Sequence, residues 1–108
     1  MLLFEDVLVR CNVKQADLEI WIERSWVRPV REDRGWIFAD EDVARIELIC
    51  DLAHDLDMDT EALEIILPLI DQVYALRRSL RSLTLAVGDL PADSRRQVMD
   101  RLIERSRP

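Results

Sequence analysis

The stretch RGWIFADEDVARIELICDL, residues 34–52, decides the fold. Gly35 closes a polar run and predicts a hairpin turn, and the strand-prone residues 36–38 follow it. Asp40 is the expected N-cap of a helix, because the acids at 41 and 42 then lie at the positive end of its dipole. This one stretch therefore predicts a turn, a strand and the start of a helix.

Two short amphipathic segments precede this stretch, in residues 3–27, and Asn12 is the expected turn between them. Pro29 blocks a further helix, so Val30 can begin a strand that pairs with residues 36–38. The sequence thus predicts a helix-turn-helix followed by a two-stranded wing. The apolar residues at helical spacing are Leu3, Val7, Leu8 and Cys11 in the first segment and Leu18, Trp21, Ile22 and Trp26 in the second.

The helix that begins near Asp40 carries an apolar stripe, and the run DLDMDT, residues 55–60, is expected to end it. Either Asp59 or Thr60 is the predicted N-cap of the next helix. The predicted stripe consists of Val43, Ile46, Ile49, Cys50, Ala53 and Leu56.

The next helix has the most regular pattern in the chain. Its apolar residues recur at alternating steps of three and four, which is an a/d heptad seam. Pro68 is expected to kink this helix or leave a carbonyl unpaired, and Gly88 and Pro91 are its expected C-cap and stop. The seam consists of Ile66, Leu69, Val73, Leu76, Leu80, Leu83 and Val87.

The predicted fold class is all-α, a winged helix-turn-helix with a small two-stranded wing and a long C-terminal helix. The winged part occupies residues 1–58, the heptad helix residues 59–88, and a short amphipathic helix with a tail residues 89–108. We expect the seam to join two chains as an antiparallel homodimer through Val73, Leu76, Leu80 and Leu83. The alternative is that the seam packs within one chain against Trp21, Trp36 and the last helix.

Charge is distributed unevenly along a chain whose formal net charge is −7. Residues 40–76 hold eleven acids and one arginine, a net of −10, whereas residues 77–108 hold eight arginines and four acids, a net of +4. The segment that would enter a DNA groove, residues 14–26, has a net of −1 and carries few side chains suited to base edges. Nucleic acid is therefore a disfavoured partner, although the arginines of the predicted wing could touch a backbone. These are Arg28, Arg31 and Arg34.

No catalytic, cofactor or metal site is predicted. Two glycines do not build a phosphate loop, and His54 has no neighbouring nucleophile by local spacing. The acids at 55, 57 and 59 are spaced like calcium ligands, but the diagnostic glycine and glutamate positions of that motif do not match. Cys11 and Cys50 are expected to be buried free thiols. The N-terminus has no signal-peptide pattern and no apolar run is long enough to span a bilayer, so a cytoplasmic protein without membrane contact is expected.

The order of these elements resembles that of MerR-like winged-helix proteins. Two runs carry the resemblance, VRPVREDRGWIFADEDVARIELICDLAHDLDMD from residue 27 and LEIILPLIDQVYALRRSLRSL from residue 63. Within that superfamily the chain resembles CbpM-type chaperone modulators, in which an aromatic-x-Phe strand leads into an acidic helix start and a DL element follows. Here these are residues 36–38 and residues 55–56. The resemblance covers roughly residues 3–85 and excludes the tail.

This resemblance implies a regulator that binds and inhibits the J-domain of a DnaJ/CbpA-type co-chaperone. Since J-domains present a basic helix, we expect the acidic region of this chain to face it. The expected contact residues are Asp51, Leu52, Asp55, Leu56, Asp57 and Met58. Two other functions fit the sequence, a small MerR-like DNA-binding transcription regulator and a structural dimerisation subunit. The alternative interpretation of the acids is a solvated face that maintains solubility.

Overall fold

The computed structural model describes residues 1–107, which are mostly helical and contain one small sheet. A π-helical turn, Asp51–Asp55, directly follows the third α-helix. The other elements in chain order are β1 (Leu2–Leu3), α1 (Phe4–Arg10), α2 (Gln15–Glu23), β2 (Val30–Glu32), β3 (Gly35–Phe38), α3 (Asp40–Cys50), α4 (Thr60–Gly88) and α5 (Ala92–Ser106).

The chain forms two compact units, of which unit 1 is Met1–Leu67 and unit 2 begins at Pro68. This division differs from the predicted segments, whose limits lay at the ends of the long helix. The reason is that the first turns of α4 bury Leu63 and Leu67 as part of unit 1, so the helix belongs to both units. Sequence periodicity marks where a helix ends, but it does not show which of its turns join a core.

The sheet has three strands in the order β1-β3-β2, all antiparallel, where the sequence predicted two. The additional strand, β1, pairs Leu2 with Phe38 and Leu3 with Ile37. Two residues are too few to show an alternating pattern, so only the presence of β3 beside them makes this segment a strand. Leu3 was therefore wrongly predicted as part of the first helical face.

The β2–β3 hairpin forms as predicted around Gly35. Glu32 pairs with Gly35, and the two residues between them form the turn. Gly35 has φ = 107°, a region that residues with a Cβ rarely adopt, so glycine suits this turn as it does a bulge after a type I turn. The predicted turn at Asn12 is also confirmed by a left-handed φ of 52°.

The structure tests the predicted N-caps of α3 and α4. The N-cap of α3 is Ala39 and not Asp40 as predicted, because the Asp42 carboxylate accepts a 2.9 Å hydrogen bond from the Ala39 N–H. At α4 the prediction of Asp59 is confirmed, since its Oδ1 accepts a 2.9 Å hydrogen bond from the Ala62 N–H.

The long helix α4 continues through Pro68 and ends at Gly88. Because Pro68 has no N–H, the carbonyl of Glu64 loses its usual donor four residues ahead. Gly88 is the last helical residue and does not adopt a positive φ, so it is not the left-handed C-cap that the sequence suggested. Pro91 is the N-cap of α5.

The apolar core lies entirely in unit 1, and no polar side chain is buried among the described residues. Helices α1, α2 and α3, the central strand β3 and the start of α4 contribute to it. The buried apolar residues are Val7, Val13, Leu18, Trp21, Val27, Phe38, Val43, Ile46, Ile49, Leu52, Leu63 and Leu67.

Candidate functional site

The predicted contact residues of the acidic region separate into an exposed group and a buried one. Asp51, Asp55 and Asp57 are exposed, and Leu56 is an exposed apolar residue with 63% of its surface accessible. Leu52 is only 8% accessible, so it belongs to the core and burial argues against its predicted role as a contact residue. Three aspartates and one leucine of this segment are therefore available to a partner.

The π-helical turn accounts for the exposure of Leu56, which the apolar stripe had placed on the buried face. The Leu56 N–H donates to the Asp51 carbonyl over 3.2 Å, which is an i−5 bond instead of the α-helical i−4 bond. This wider turn displaces the residues after it from the α-helical stripe, so Leu56 leaves the buried face on which it was predicted. The Met58 N–H then donates to the Leu52 carbonyl over 3.0 Å and closes the end of the helix.

The acidic segment ends at Asp57, whose backbone is in the left-handed region. Asp57 has φ = 51°, in the left-handed region that aspartate tolerates better than most side chains. A π-helical turn and a left-handed residue thus lie within seven residues of each other, and such features concentrate at functional sites. Both fall in the segment that the sequence analysis selected.

Met58 leads from this exposed segment into a cleft of about 270 Å³ in unit 1, which we call the tryptophan cleft. It lies between α2, the π-helical turn and the start of α4. Its apolar lining is Ile20, Trp21, Trp26, Ala53, Met58 and Leu63, and its polar lining is Asp17, His54, Asp59 and Thr60. Sequence reasoning did not find this cleft, although its two tryptophans were visible five residues apart.

Trp26 reaches the cleft because α2 is shorter than predicted. The helix ends at Glu23, and Ser25 adopts a left-handed φ of 61° that redirects the chain. The Trp26 N–H then donates to the Trp21 carbonyl over 2.9 Å. Trp26 is half-buried in the cleft wall, whereas the predicted helical face would have placed it on α2 itself.

Arg24 lies beside the cleft and is already paired. Its guanidinium forms an ion pair with the Glu64 carboxylate and lies 5.7 Å from the centre of the Trp26 ring. Both partners of the ion pair are substantially exposed, so its contribution to stability is small. The geometry nevertheless shows that a cation can rest over the Trp26 ring.

The exposed side of α2 is poorly suited to reading DNA. The helix as observed holds three acids, Asp17, Glu19 and Glu23, and no basic residue. Its one amide, on Gln15, donates a 2.9 Å hydrogen bond to Glu19 instead of being free for a base edge.

The arginines of the hairpin region form local contacts. The Arg31 guanidinium lies 5.0 Å from the centre of the Trp36 ring, directly across the β2–β3 pair. The Arg28 Nε donates to the Ser25 carbonyl over 3.3 Å. Arg34 is exposed in the turn. These three cations lie where a wing would contact a phosphate backbone.

The predicted dimerisation residues lie on an exposed face of α4. Val73 is 46% accessible, and Leu76, Leu80 and Leu83 are 69%, 63% and 60% accessible. The apolar residues of α5 are similarly uncovered, with Met99, Leu102 and Ile103 between 46% and 55% accessible.

Both cysteines are free and half-buried in unit 1. Burial raises the pKa of the Cys50 thiol to about 11, with nearby Cys11 and Asp51 adding to the effect. Burial and the Glu47 charge also raise the pKa of Cys11. Raised thiol pKa values disfavour the nucleophilic thiolate. Across residues 1–107 no group of three or more metal-ligating side chains comes together.

Comparison with known proteins places the chain at the level of a family. The family described as MerR HTH family regulatory protein matches residues 2–84, which cover both predicted helix-turn-helix segments, the hairpin and most of α4. No curated protein and no solved structure matches. Within the described residues, no helix is both long enough and apolar enough to cross a membrane.

Proposed function

The chain belongs to the MerR family of helix-turn-helix regulatory proteins, and on that premise we propose that it is a cytoplasmic regulator that binds and inhibits the J-domain of a DnaJ/CbpA-type co-chaperone. The proposal combines the family's regulatory role with the chain's resemblance to CbpM-type modulators. It assigns the chain a protein partner in place of DNA.

The observation that carries this proposal is the exposed acidic segment of unit 1. Asp51, Asp55 and Asp57 are all exposed, and the exposed Leu56 lies between two of them. An acidic surface repels DNA and attracts a basic protein surface, and an apolar residue within it can supply contact area. The absence of any basic residue on α2 supports the same preference.

The experiment measures binding of a purified J-domain to the full chain by stopped-flow fluorescence at low salt. In the variant Asp51→Lys, Asp55→Lys, Asp57→Lys, we expect association to be at least about tenfold slower, since steering charges act mainly on the association rate. The matched control is Asp89→Lys, Asp93→Lys, Asp100→Lys, which changes the net charge equally but in unit 2. Circular dichroism verifies that both variants are folded.

Equal association rates for the two charge-reversed variants would contradict this interface. The next surface to test is then the exposed side of α2 around Asp17, Glu19 and Glu23. No binding of the J-domain to the unaltered chain would contradict the proposed function itself.

The same proposal includes a homodimer formed by α4. An antiparallel pair centred on Arg78 places Leu76 opposite Leu80 and Val73 opposite Leu83 of the second copy. The exposure of the seam supports this arrangement, because an isolated chain leaves it in water.

A DNA-binding transcription regulator is the second candidate, favoured by the hairpin arginines Arg28, Arg31 and Arg34. Its test is titration of the full chain with duplex DNA at several salt concentrations. Tight, sequence-selective and strongly salt-dependent binding would favour this function over protein recognition.

A further inference from the structure

We propose that the tryptophan cleft holds one long basic side chain, an arginine or a lysine, of the bound partner. This inference rests on the proposed function and names the residue type that anchors the partner on unit 1. The occupant is a side chain with an apolar stem and a cationic end.

The size of the cleft favours a single side chain. Its volume of about 270 Å³ lies below the roughly 300–1,000 Å³ of ordinary small-molecule pockets. Met58 lines it, and this residue lies at the end of the acidic segment that faces the partner in the proposed complex. A side chain that projects from a bound helix can therefore enter it while the exposed aspartates contact the helix surface.

The walls of the cleft suit the stem of such a side chain. Trp21, Trp26 and Met58 present flat or flexible apolar surface. Lysine and arginine bury their methylene stems on surfaces of this kind while their charged ends stay near polar groups. Burial of an uncharged apolar side chain would use the same walls, so the walls alone do not select a cation.

The polar residues that line the cleft favour a cationic side chain over an uncharged one. Asp17 and Asp59 both line the cleft, His54 lies beside them, and no lysine or arginine lines it. The Oδ1 atom of Asp59 accepts the capping hydrogen bond of α4, and its Oδ2 atom takes no part in that bond. Two arginines contact the cleft residue Trp26 from outside the lining: Arg24 is ion-paired with Glu64, and the Arg45 Nε donates a 2.9 Å hydrogen bond to the Trp26 carbonyl. The cleft therefore combines aromatic faces with two carboxylates, a combination that attracts a guanidinium or an ammonium group.

Arg24 supplies an intramolecular precedent for this chemistry. Its guanidinium lies 5.7 Å from the centre of the Trp26 ring in the chain by itself. The indole is thus accessible to a cation at that distance. A partner's basic side chain would approach the same tryptophan from within the cleft.

The experiment titrates the full chain with n-pentylguanidinium chloride and follows the three tryptophan indole N–H signals by NMR. We expect saturable shifts for Trp21 and Trp26, and shifts at least about threefold smaller for Trp36, which lies on the hairpin. Guanidinium chloride and n-pentanol are the matched probes, because one lacks the apolar stem and the other lacks the charge. Each should give much weaker saturation than n-pentylguanidinium.

A pair of variants tests the charge selection. Asp17→Asn should weaken n-pentylguanidinium binding by about twofold to fivefold, which is the upper part of the range for an exposed ion pair. Asp33→Asn, which removes one carboxylate from the hairpin turn, should leave it unchanged. Equal shifts of all three indoles, binding of n-pentanol as tight as that of n-pentylguanidinium, or an unchanged affinity in Asp17→Asn would each overturn the inference.

The J-domain titration separates this inference from the proposed function. If the J-domain binds the full chain but the cleft does not bind n-pentylguanidinium, the cation inference is overturned and the proposed function stands. A cleft that selects n-pentylguanidinium in a chain that does not bind the J-domain removes the proposed function and leaves the cation site in place.

Discussion

Residues 1–67 and residues 68–107 place their apolar side chains in opposite environments. Every buried apolar residue of the described chain lies in unit 1, with Leu67 the last of them. Unit 2 contains a seam and an amphipathic helix of similar apolar character, yet its leucines at 76, 80 and 83 are at least 60% accessible. The two units therefore differ in whether their apolar side chains are packed into a core.

The difference indicates where the stability of each unit comes from. Unit 1 is stabilised by burial of apolar surface around β3 and the helices that cover it. Isolated helices of about 15 residues are marginal in water, because helical hydrogen bonds hardly exceed the conformational entropy they cost. In our proposal a second copy covers the exposed seam of unit 2.

The strongest test of unit 1 is removal of its central aromatic side chain. Phe38 is fully buried on β3, and its ring lies 6.3 Å from that of Phe4. We expect Phe38→Ala to lower the free energy of unfolding by about 3–5 kcal/mol, through lost burial and the cavity left behind. Urea unfolding followed by tryptophan fluorescence measures the change. A loss below about 1 kcal/mol would show that unit 1 does not depend on this core.

The next largest effect is expected at the seam of unit 2. Leu76→Asp with Leu80→Asp should weaken self-association at least about 100-fold, since two carboxylates would have to be buried in the interface. Leu85→Asp is the matched control, because Leu85 lies on the same helix at 66% accessibility but outside the seam. Sedimentation velocity over a concentration series measures the association. A monomeric unaltered chain at micromolar concentration would contradict the dimer.

The thiols report on unit 1 alone, because both lie before residue 67. Burial raises the pKa of Cys50 from 9.0 to about 11, so its thiolate is scarce at pH 8. Alkylation of Cys50 by iodoacetamide should then be at least about tenfold slower in the folded chain than in urea. Any stabilisation from keeping this thiol neutral is present below pH 9.0 and is lost as the pH rises through about 11.

Mass spectrometry of the labelled chain measures this rate at Cys50 separately from Cys11. The rate should be the same in the variant Leu76→Asp with Leu80→Asp, since those changes affect unit 2. Rapid alkylation of the folded chain would show that unit 1 opens far more readily than its packing indicates.

The smallest predicted effect concerns the cap of α4. Asp59→Ala removes the acceptor of the Ala62 N–H and should cost about 1 kcal/mol of stability. Asp55→Ala, an exposed change in the same acidic segment, should alter stability by less than about 0.5 kcal/mol. Thermal unfolding compares the two variants. Equal effects would mean that net charge, and not the cap, determines the result.

Local signals in the sequence were sufficient for several features of the fold. The turn at Gly35 was predictable because it needs a positive φ, and the cap at Asp59 because a carboxylate accepts a hydrogen bond from the next turn. The end of α4 at Gly88 and the membership of the MerR family also followed from the sequence. Each depends on residues that are close in the chain or on the order of the elements.

The sequence by itself thus determined a mostly helical regulator with an acidic middle, a basic C-terminal end and a long heptad helix. The tertiary structure alone decided that residues 2–3 pair with β3, that Leu52 is buried and Leu56 exposed at a π-helical turn, and that Trp26 leaves α2 to line a cleft. The pairing of β1 depends on a segment distant in the chain, whereas the π-helical turn and the end of α2 depend on single backbone conformations that the residue pattern does not encode. Apolar periodicity shows only which side chains share a face of a regular α-helix. It gives the wrong face wherever the backbone leaves α-helical geometry, as at the π-helical turn and at the end of α2.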